Sequence, residues 1–317
     1  MIVTNRSAAP ATTVTTTKTE NKMAGFSLPS GRTISYELTY SNEPTRPTVL
    51  LSNSLASQYH FWDHIVERLH DAGYRVLRYD HPGHGASGVP DNLSSTTFAS
   101  LAEDVYALLT SPDVATAFHG HHSPDAAFTP SLHAWIGVSM GAALGVVFSS
   151  RYPGVVQRLV ICDTVSASPK NAGVSDALGP RVAAAREHGS MEKAVAETMD
   201  RWFGQDWIKA NPAEAERVHT LMKQTSLDGF ETCIAALRSD SFDIRPLISG
   251  LGNCVQRVLF VVGEKDADLP EKMKELRDAC PENLKAELKI IPNAGHVSFI
   301  DGKEDFLKAV MPFLGEN

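Results

Sequence analysis

Residues 134–152 constrain the fold more than any other stretch of the chain. An apolar run at 134–138 reads as a buried strand and 142–152 as a helix, and between them stands Gly137-Val138-Ser139-Met140-Gly141, a G-x-S-x-G sequence. A strand that turns into a helix this sharply forces the serine into a strained backbone conformation, and only small residues fit on either side of it. The hydroxyl is thereby presented at the carboxyl end of the sheet. A glycine-rich turn without chemistry is the plain alternative, and the strand–turn–helix setting makes it the poorer reading.

A serine hydroxyl needs a base before it becomes nucleophilic at neutral pH. His296, in Asn293-Ala294-Gly295-His296, is the one histidine of twelve that follows the last apolar strand, read at 288–291. An acid must hold that imidazole in one tautomer and stabilise its protonated form. The strand read at 258–262 ends in Gly263-Glu264-Lys265-Asp266, which makes Asp266 the expected acid, with Glu264 and Asp268 as neighbours. Asp163, at the end of an earlier strand read at 159–162, is the serious alternative; a loop cap is its bland role. Backbone donors for an oxyanion are expected from Met140, directly after the serine, and from Leu55 in Ser52-Asn53-Ser54-Leu55-Ala56. The run Asp80-His81-Pro82-Gly83-His84-Gly85-Ala86-Ser87 lacks the lysine of a phosphate-binding loop and reads as a turn that buttresses the site.

The remaining pattern gives the architecture. An antiparallel opening pair is expected at 26–28 and 34–38, and strands at 48–51 and 76–79. Helices are expected at 62–70 and 98–109. Strands alternating with helices argue a mostly parallel sheet covered on both faces. Between about 165 and 250 the strand rhythm gives way to helical segments, read as an insertion. Residues 110–131, rich in Pro, His and Ala without a period, read as a surface loop.

Composition limits the function classes. The 317 residues suffice for one α/β core with an insertion, and 29 basic against 37 acidic side chains leave a formal charge of −8. An acidic chain with no basic run has no electrostatic footprint for nucleic acid. No apolar run reaches membrane-spanning length. The four cysteines, Cys162, Cys233, Cys254 and Cys280, form no C-x-x-C pair, so no metal site and no cofactor are expected. Residues 1–22, rich in Thr and Ala, read as a disordered tail, with a transit segment as the weaker alternative. A cytoplasmic protein, monomer or homodimer, without nucleic-acid or membrane partners is the expectation.

Together the segment 80–87, the turn at Ser139, Gly263 to Asp266 and Gly295-His296 resemble the α/β-hydrolase superfamily, and more closely its 3-oxoadipate enol-lactonase branch. The branch resemblance lies in Asn53-Ser54-Leu55 against N-S-L-G, in Trp62-Asp63, in Arg201-Trp202-Phe203, and in the segment from Asp228-Gly229-Phe230 to Ala236-Leu237-Arg238. The chain departs from it at Ala56, where the branch has glycine, at His81-Pro82, and in the lengths of the tail and of 110–131.

What the resemblance implies is an α/β-hydrolase fold: an eight-stranded, mostly parallel sheet with helices on both faces and a helical lid after the sixth strand. The core would comprise 23–164 and 251–317, the lid 165–250. It implies a cofactor-free hydrolase that opens a small carboxylic ester or lactone through an acyl-enzyme on Ser139, His296 and Asp266. Thioester or C–C cleavage on the same residues, or a ligand receptor on the same scaffold, are the competing readings. Trp202, Phe203 and Phe230 are candidates to line the pocket, and Arg201 and Arg238 to bind a substrate carboxylate. Packing within the lid, or a surface ion pair, competes with that role for each of them.

Overall fold

A computed structural model describes residues 23–119 and 129–315 of the chain. Eight strands form one sheet: β1 Met23–Ser27, β2 Thr33–Leu38, β3 Thr48–Ser52, β4 Arg75–Tyr79, β5 Leu132–Val138, β6 Val156–Cys162, β7 Arg257–Gly263 and β8 Glu287–Ile291. Their order is β1-β2-β4-β3-β5-β6-β7-β8. Only the β1–β2 and β2–β4 pairings are antiparallel; β4-β3-β5-β6-β7-β8 run parallel. Every residue of β3 and β4 is buried, as is nearly every residue of β5, β6 and β7, because helices cover both faces. The alternation at β8 is largely exposed, as suits an edge strand.

The helices of the core are α1 Asp63–Asp71, α2 Phe98–Leu109, α3 Pro112–His119 and α4 Met140–Arg151 before β6. Six more stand between β6 and β7: α5 Pro169–Ala172, α6 Leu178–His188, α7 Glu192–Ala210, α8 Pro212–Lys223, α9 Leu227–Arg238 and α10 Arg245–Ile248. The chain ends with α11 Leu269–Asp278, α12 Ser298–Asp301 and α13 Lys303–Gly315. Helix α2 opens with a capping box, in which Thr97 and Ser100 exchange hydrogen bonds between side chain and backbone. Helix α7 changes direction at Gly204, whose φ of 73° no helix contains.

One expectation needs correction. The stretch read as a loop at 110–131 contains α3: Val114 and Ala117, three residues apart, are buried, and the Arg75 guanidinium donates to the Ala117 carbonyl. A two-turn helix carries too few apolar positions to stand out from a Pro- and Ala-rich sequence. Residues 120–128 and the tail 1–22 lie outside the described residues. Among the described residues no helix is long and apolar enough to cross a membrane.

Parallel pairing sends the carboxyl ends of β3 to β8 to one edge of the sheet. The segments read for chemistry follow six different strands: 53–56 after β3, 80–87 after β4, Ser139 after β5, Asp163 after β6, Asp266 after β7 and His296 after β8. A topology with these crossovers therefore gathers residues far apart in sequence at one place.

Candidate active site

Ser139 sits between β5 and α4 at φ 52°, ψ −117°, a conformation that costs about 1–3 kcal/mol for a residue other than glycine. The flanking glycines make it possible. A Cβ on Gly137 would lie 2.3 Å from the Gly141 carbonyl oxygen, and one on Gly141 would lie 2.4 Å from the carbonyl oxygen of Ser52. Met140 is the first residue of α4, where amides have no partner within the helix.

The turn is anchored to the end of β6. The Ser139 amide donates to the Cys162 carbonyl at 2.8 Å, and Thr164 Oγ1 donates to the Ser139 carbonyl at 2.8 Å. Between those two residues, Asp163 reaches the other two loops. Its Oδ1 accepts the Gly263 amide at 2.7 Å, and its Oδ2 lies 3.0 Å from Ser298 Oγ. Asp163 is fully buried, and burial, then the charge of Asp266, push its carboxyl well above the ordinary carboxylate range. That favours the protonated acid.

His296 is held from three sides. Its Nδ1 lies 2.7 Å from Asp266 Oδ2, its amide donates to the Trp202 carbonyl at 3.2 Å, and its ring stacks on the Trp202 indole with centroids 5.4 Å apart. An ionised carboxylate only accepts, so the Asp266 contact places the proton on Nδ1 and leaves the Nε2 lone pair available. Gly295 permits the approach of the insertion: a Cβ there would lie 1.9 Å from the Trp202 carbonyl oxygen.

The loop after β3 is propped by two buried histidines. His84 Nε2 accepts the Ala56 amide at 2.9 Å, so its proton is on Nδ1, facing the Pro82 carbonyl at 2.9 Å. His81 Nε2 donates to the Asn53 carbonyl at 2.9 Å. Burial lowers His81 to about 4 and His84 to about 3, so both are neutral struts over the whole physiological range. Ala56 has φ 60°, the left-handed conformation that suits the glycine of N-S-L-G, and the bond to His84 helps hold it there. The Ala56 amide is thus committed to His84; Leu55 precedes it in the cavity wall.

A cavity of about 510 Å³ lies over these groups, with Ser139, Asp266, His296, Leu55, Trp202 and Phe230 in its lining. Arg201 also faces it, and so do three cations that the sequence reading missed: Arg181, Arg245 and Lys272. Arg245 and Lys272 are ion-paired, at 2.6 Å each, with Asp243 and Asp268. Among the described residues neither Arg181 nor Arg201 has a carboxylate within ion-pair distance. Arg181 donates from Nη2 to Thr198 Oγ1 at 2.7 Å and lies over the Phe230 ring at 5.8 Å. Burial, reinforced by the charge of Arg201, lowers Arg181 to about 10. Arg201 is more open, and the charge of Asp266 partly offsets the lowering that burial imposes on it.

Two of the candidates take the competing role instead. Arg238 turns away to the surface, where its Nε donates to Asp176 Oδ2 at 2.7 Å, and Phe203 stacks on Trp207 with centroids 4.4 Å apart. Neither lines the cavity. Helical phase explains both: α9 turns Phe230 toward the cavity and Arg238 toward solvent, and α7 turns Trp202 toward the cavity and buries Phe203 against Trp207. Arg181 had no motif to mark it; its place on the first turns of α6 opposite Phe230 is set by packing alone. A second cleft of about 450 Å³, between α1, α8 and the start of α13, includes His64, Glu214 and Asp301 and is remote from Ser139 in its lining.

Comparison with known proteins agrees with this architecture. A model of the alpha/beta hydrolase family matches residues 49–309. The chain is 26% identical over 266 residues to 3-oxoadipate enol-lactonase 2 of Acinetobacter baylyi, covering 84% of this chain and 87% of that one. Among solved structures, it is similar to the enol-lactonase from Burkholderia xenovorans LB400, with a TM-score of 0.76 and 26% identity over 92% of this chain and 100% of the other. A thermophilic esterase from Thermogutta terrifontis shares the fold, with a TM-score of 0.75 at 20% identity over 92% and 98% of the two chains. With its mostly parallel eight-stranded sheet and a family match that spans residues 49 to 309, this chain belongs to the alpha/beta hydrolase family.

Proposed function

We propose that this hydrolase cleaves a small carboxylic ester or lactone through an acyl-enzyme on Ser139. The observation that carries the reading is the 2.7 Å contact of His296 Nδ1 with Asp266, in a cavity that Ser139 also lines. His296 Nε2 takes the Ser139 proton as Oγ attacks the carbonyl carbon. The amides of Leu55 and Met140 receive the charge that develops on the carbonyl oxygen. The imidazolium then protonates the departing alkoxide, and a water activated by His296 releases the acyl group in a second addition. In a lactone the alkoxide stays tethered, so one hydroxy or keto acid leaves.

The likeness to enol-lactonases supports a lactone. Arg201, which faces the cavity without an ion pair although the charges of Asp266 and Glu197 reach it, suits a substrate carboxylate. The helical insertion acts as the lid, and Trp202 ties its α7 to the histidine loop.

The test is a panel of aryl esters, lactones and acyl thioesters with wild type and Ser139→Ala, together with labelling by a fluorophosphonate. Turnover falls by several orders of magnitude in the variant, and the phosphonyl adduct maps to Ser139. A folded Ser139→Ala protein with near-normal turnover, or an adduct elsewhere, sinks the reading.

A further inference from the structure

We infer, resting on the ester or lactone hydrolysis proposed above, that the substrate is an amphipathic anion: its acidic group meets Arg181 and Arg201, and its apolar part follows the cavity wall at 165–178 to the mouth. Three independent features of the cavity lead there.

The first is charge. Four cations line the cavity, and the two that are ion-paired, Arg245 and Lys272, contrast with the two that are not. Arg201 is near enough to disfavour the charge of Arg181, an effect that Glu197 partly offsets. Arg181 is half-buried and Arg201 more open, and neither is ion-paired with Glu197 or Asp266, whose charges reach them, so both keep donors that an arriving anion can share. A carboxylate or phosphate oxygen supplies the acceptors that their planar donors need.

The second is the apolar wall. Among the described residues three large apolar side chains are exposed, and two of them, Val165 at 40% and Val174 at 60%, line this cavity. Isolated exposed valines are ordinary. These two line the cavity together with Ala167, Pro169 and Leu178, so the segment 165–178 gives it a largely apolar wall, interrupted by Ser166 and Ser175. Exposed apolar surface of this kind gains when an alkyl chain covers it.

The third is size. A volume of about 510 Å³ falls in the range of roughly 300–1,000 Å³ that encloses a drug-sized ligand. A single small lactone ring with its carboxylate fills only part of it. The substrate's remaining bulk is therefore the apolar portion that the wall accommodates, and the guanidinium pair fixes which end enters first.

The experiment uses two anionic series, 4-acyloxybenzoates with acetyl to octanoyl chains and monoalkyl succinates with methyl to octyl chains, against uncharged phenyl esters of the same acids. The expected result is a kcat/KM that rises about threefold for each methylene in at least one anionic series. At equal length that series exceeds the uncharged esters by about tenfold, the effect of a hydrogen bond to a charged group. Arg181→Gln removes the preference for the anion, and Val174→Asp, at an exposed position, flattens the dependence on chain length. Ser139-dependent hydrolysis that is flat or falling with length in both anionic series, or indifferent to the negative charge, overturns the inference and leaves the hydrolase reading standing. No Ser139-dependent turnover of any ester removes that reading, and the inference with it.

Discussion

The turns after β6 and β7 each bring an aspartate to the loop that bears His296, and they use it in opposite ways. Asp266 lies at the cavity edge and presents Oδ2 to the imidazole at 2.7 Å. Asp163 lies a layer deeper, out of solvent, and gives its two oxygens to Gly263 and Ser298. The first contact is to a group that changes protonation. The second is to two groups that do not. Burial of a carboxyl without a cation favours its neutral form, so Asp163 is suited to fastening loops and poorly suited to stabilising an imidazolium. Position after a strand in this fold is thus not enough to tell the two aspartates apart; the partner at the far end of each side chain does.

The largest expected effect breaks the pair apart. Asp266→Asn keeps the shape, removes the charge and favours the wrong tautomer, so kcat falls by about 10⁴-fold, as in a serine protease altered in the same way. Asp163→Asn leaves kcat within about tenfold, since an amide oxygen still accepts from Gly263 and the amide nitrogen can donate to Ser298 Oγ. Steady-state kinetics of both variants, with folding checked by circular dichroism, decide it. A crippled Asp163→Asn beside a nearly normal Asp266→Asn inverts the comparison.

Stability separates the two turns in the other direction. Asp163→Ala strands the Gly263 amide and the Ser298 hydroxyl, at roughly 1–3 kcal/mol for each buried group left unpaired, whereas Asp266→Ala loses less because it lies beside the cavity. Urea unfolding measures this, and equal losses would mean that depth makes no difference.

A pH dependence sharpens the contrast further. The folded pKa of Asp163 lies well above the ordinary carboxylate range. As pH rises past that range the unfolded chain ionises while the folded chain keeps the proton, so this group's contribution to stability is lost with increasing pH, by up to about 1.4 kcal/mol per unit. Asp163→Asn removes the loss, and its stability relative to wild type should climb as pH rises above the ordinary carboxylate range. Parallel stability curves would show that Asp163 is ionised in the folded protein. His81 and His84 act with the opposite sign. Their folded values are depressed to about 4 and 3, so stability present above about 6.5 is lost as pH falls from there toward those values.

The smallest effect belongs to Ser298→Ala, which removes one of the two partners of Asp163. A loss of about 1 kcal/mol is expected, with kcat nearly unchanged. A large fall in kcat would show that Asp163 acts through Ser298 on His296, and that the two turns are not independent.

Much of this molecule was legible in its sequence because the signals are local. Strand and helix periods, the two glycines around Ser139, and a glycine before Asp266 and before His296 are set by steric limits within a few residues. The departure at Ala56 was legible too, though its φ of 60° and its bond to His84 were not. The short helix α3 escaped because two buried positions make no period. What only the tertiary structure decided are contacts across long stretches of chain: Asp163 with Gly263 and Ser298, 100 and 135 residues away, and the side of each inserted helix that faces Ser139. Arg201 and Arg238 look alike in sequence, yet one reaches the cavity and the other pairs with Asp176. Helical phase and the packing of the insertion on the sheet determine that choice, and neither is a property of the residues immediately around an arginine.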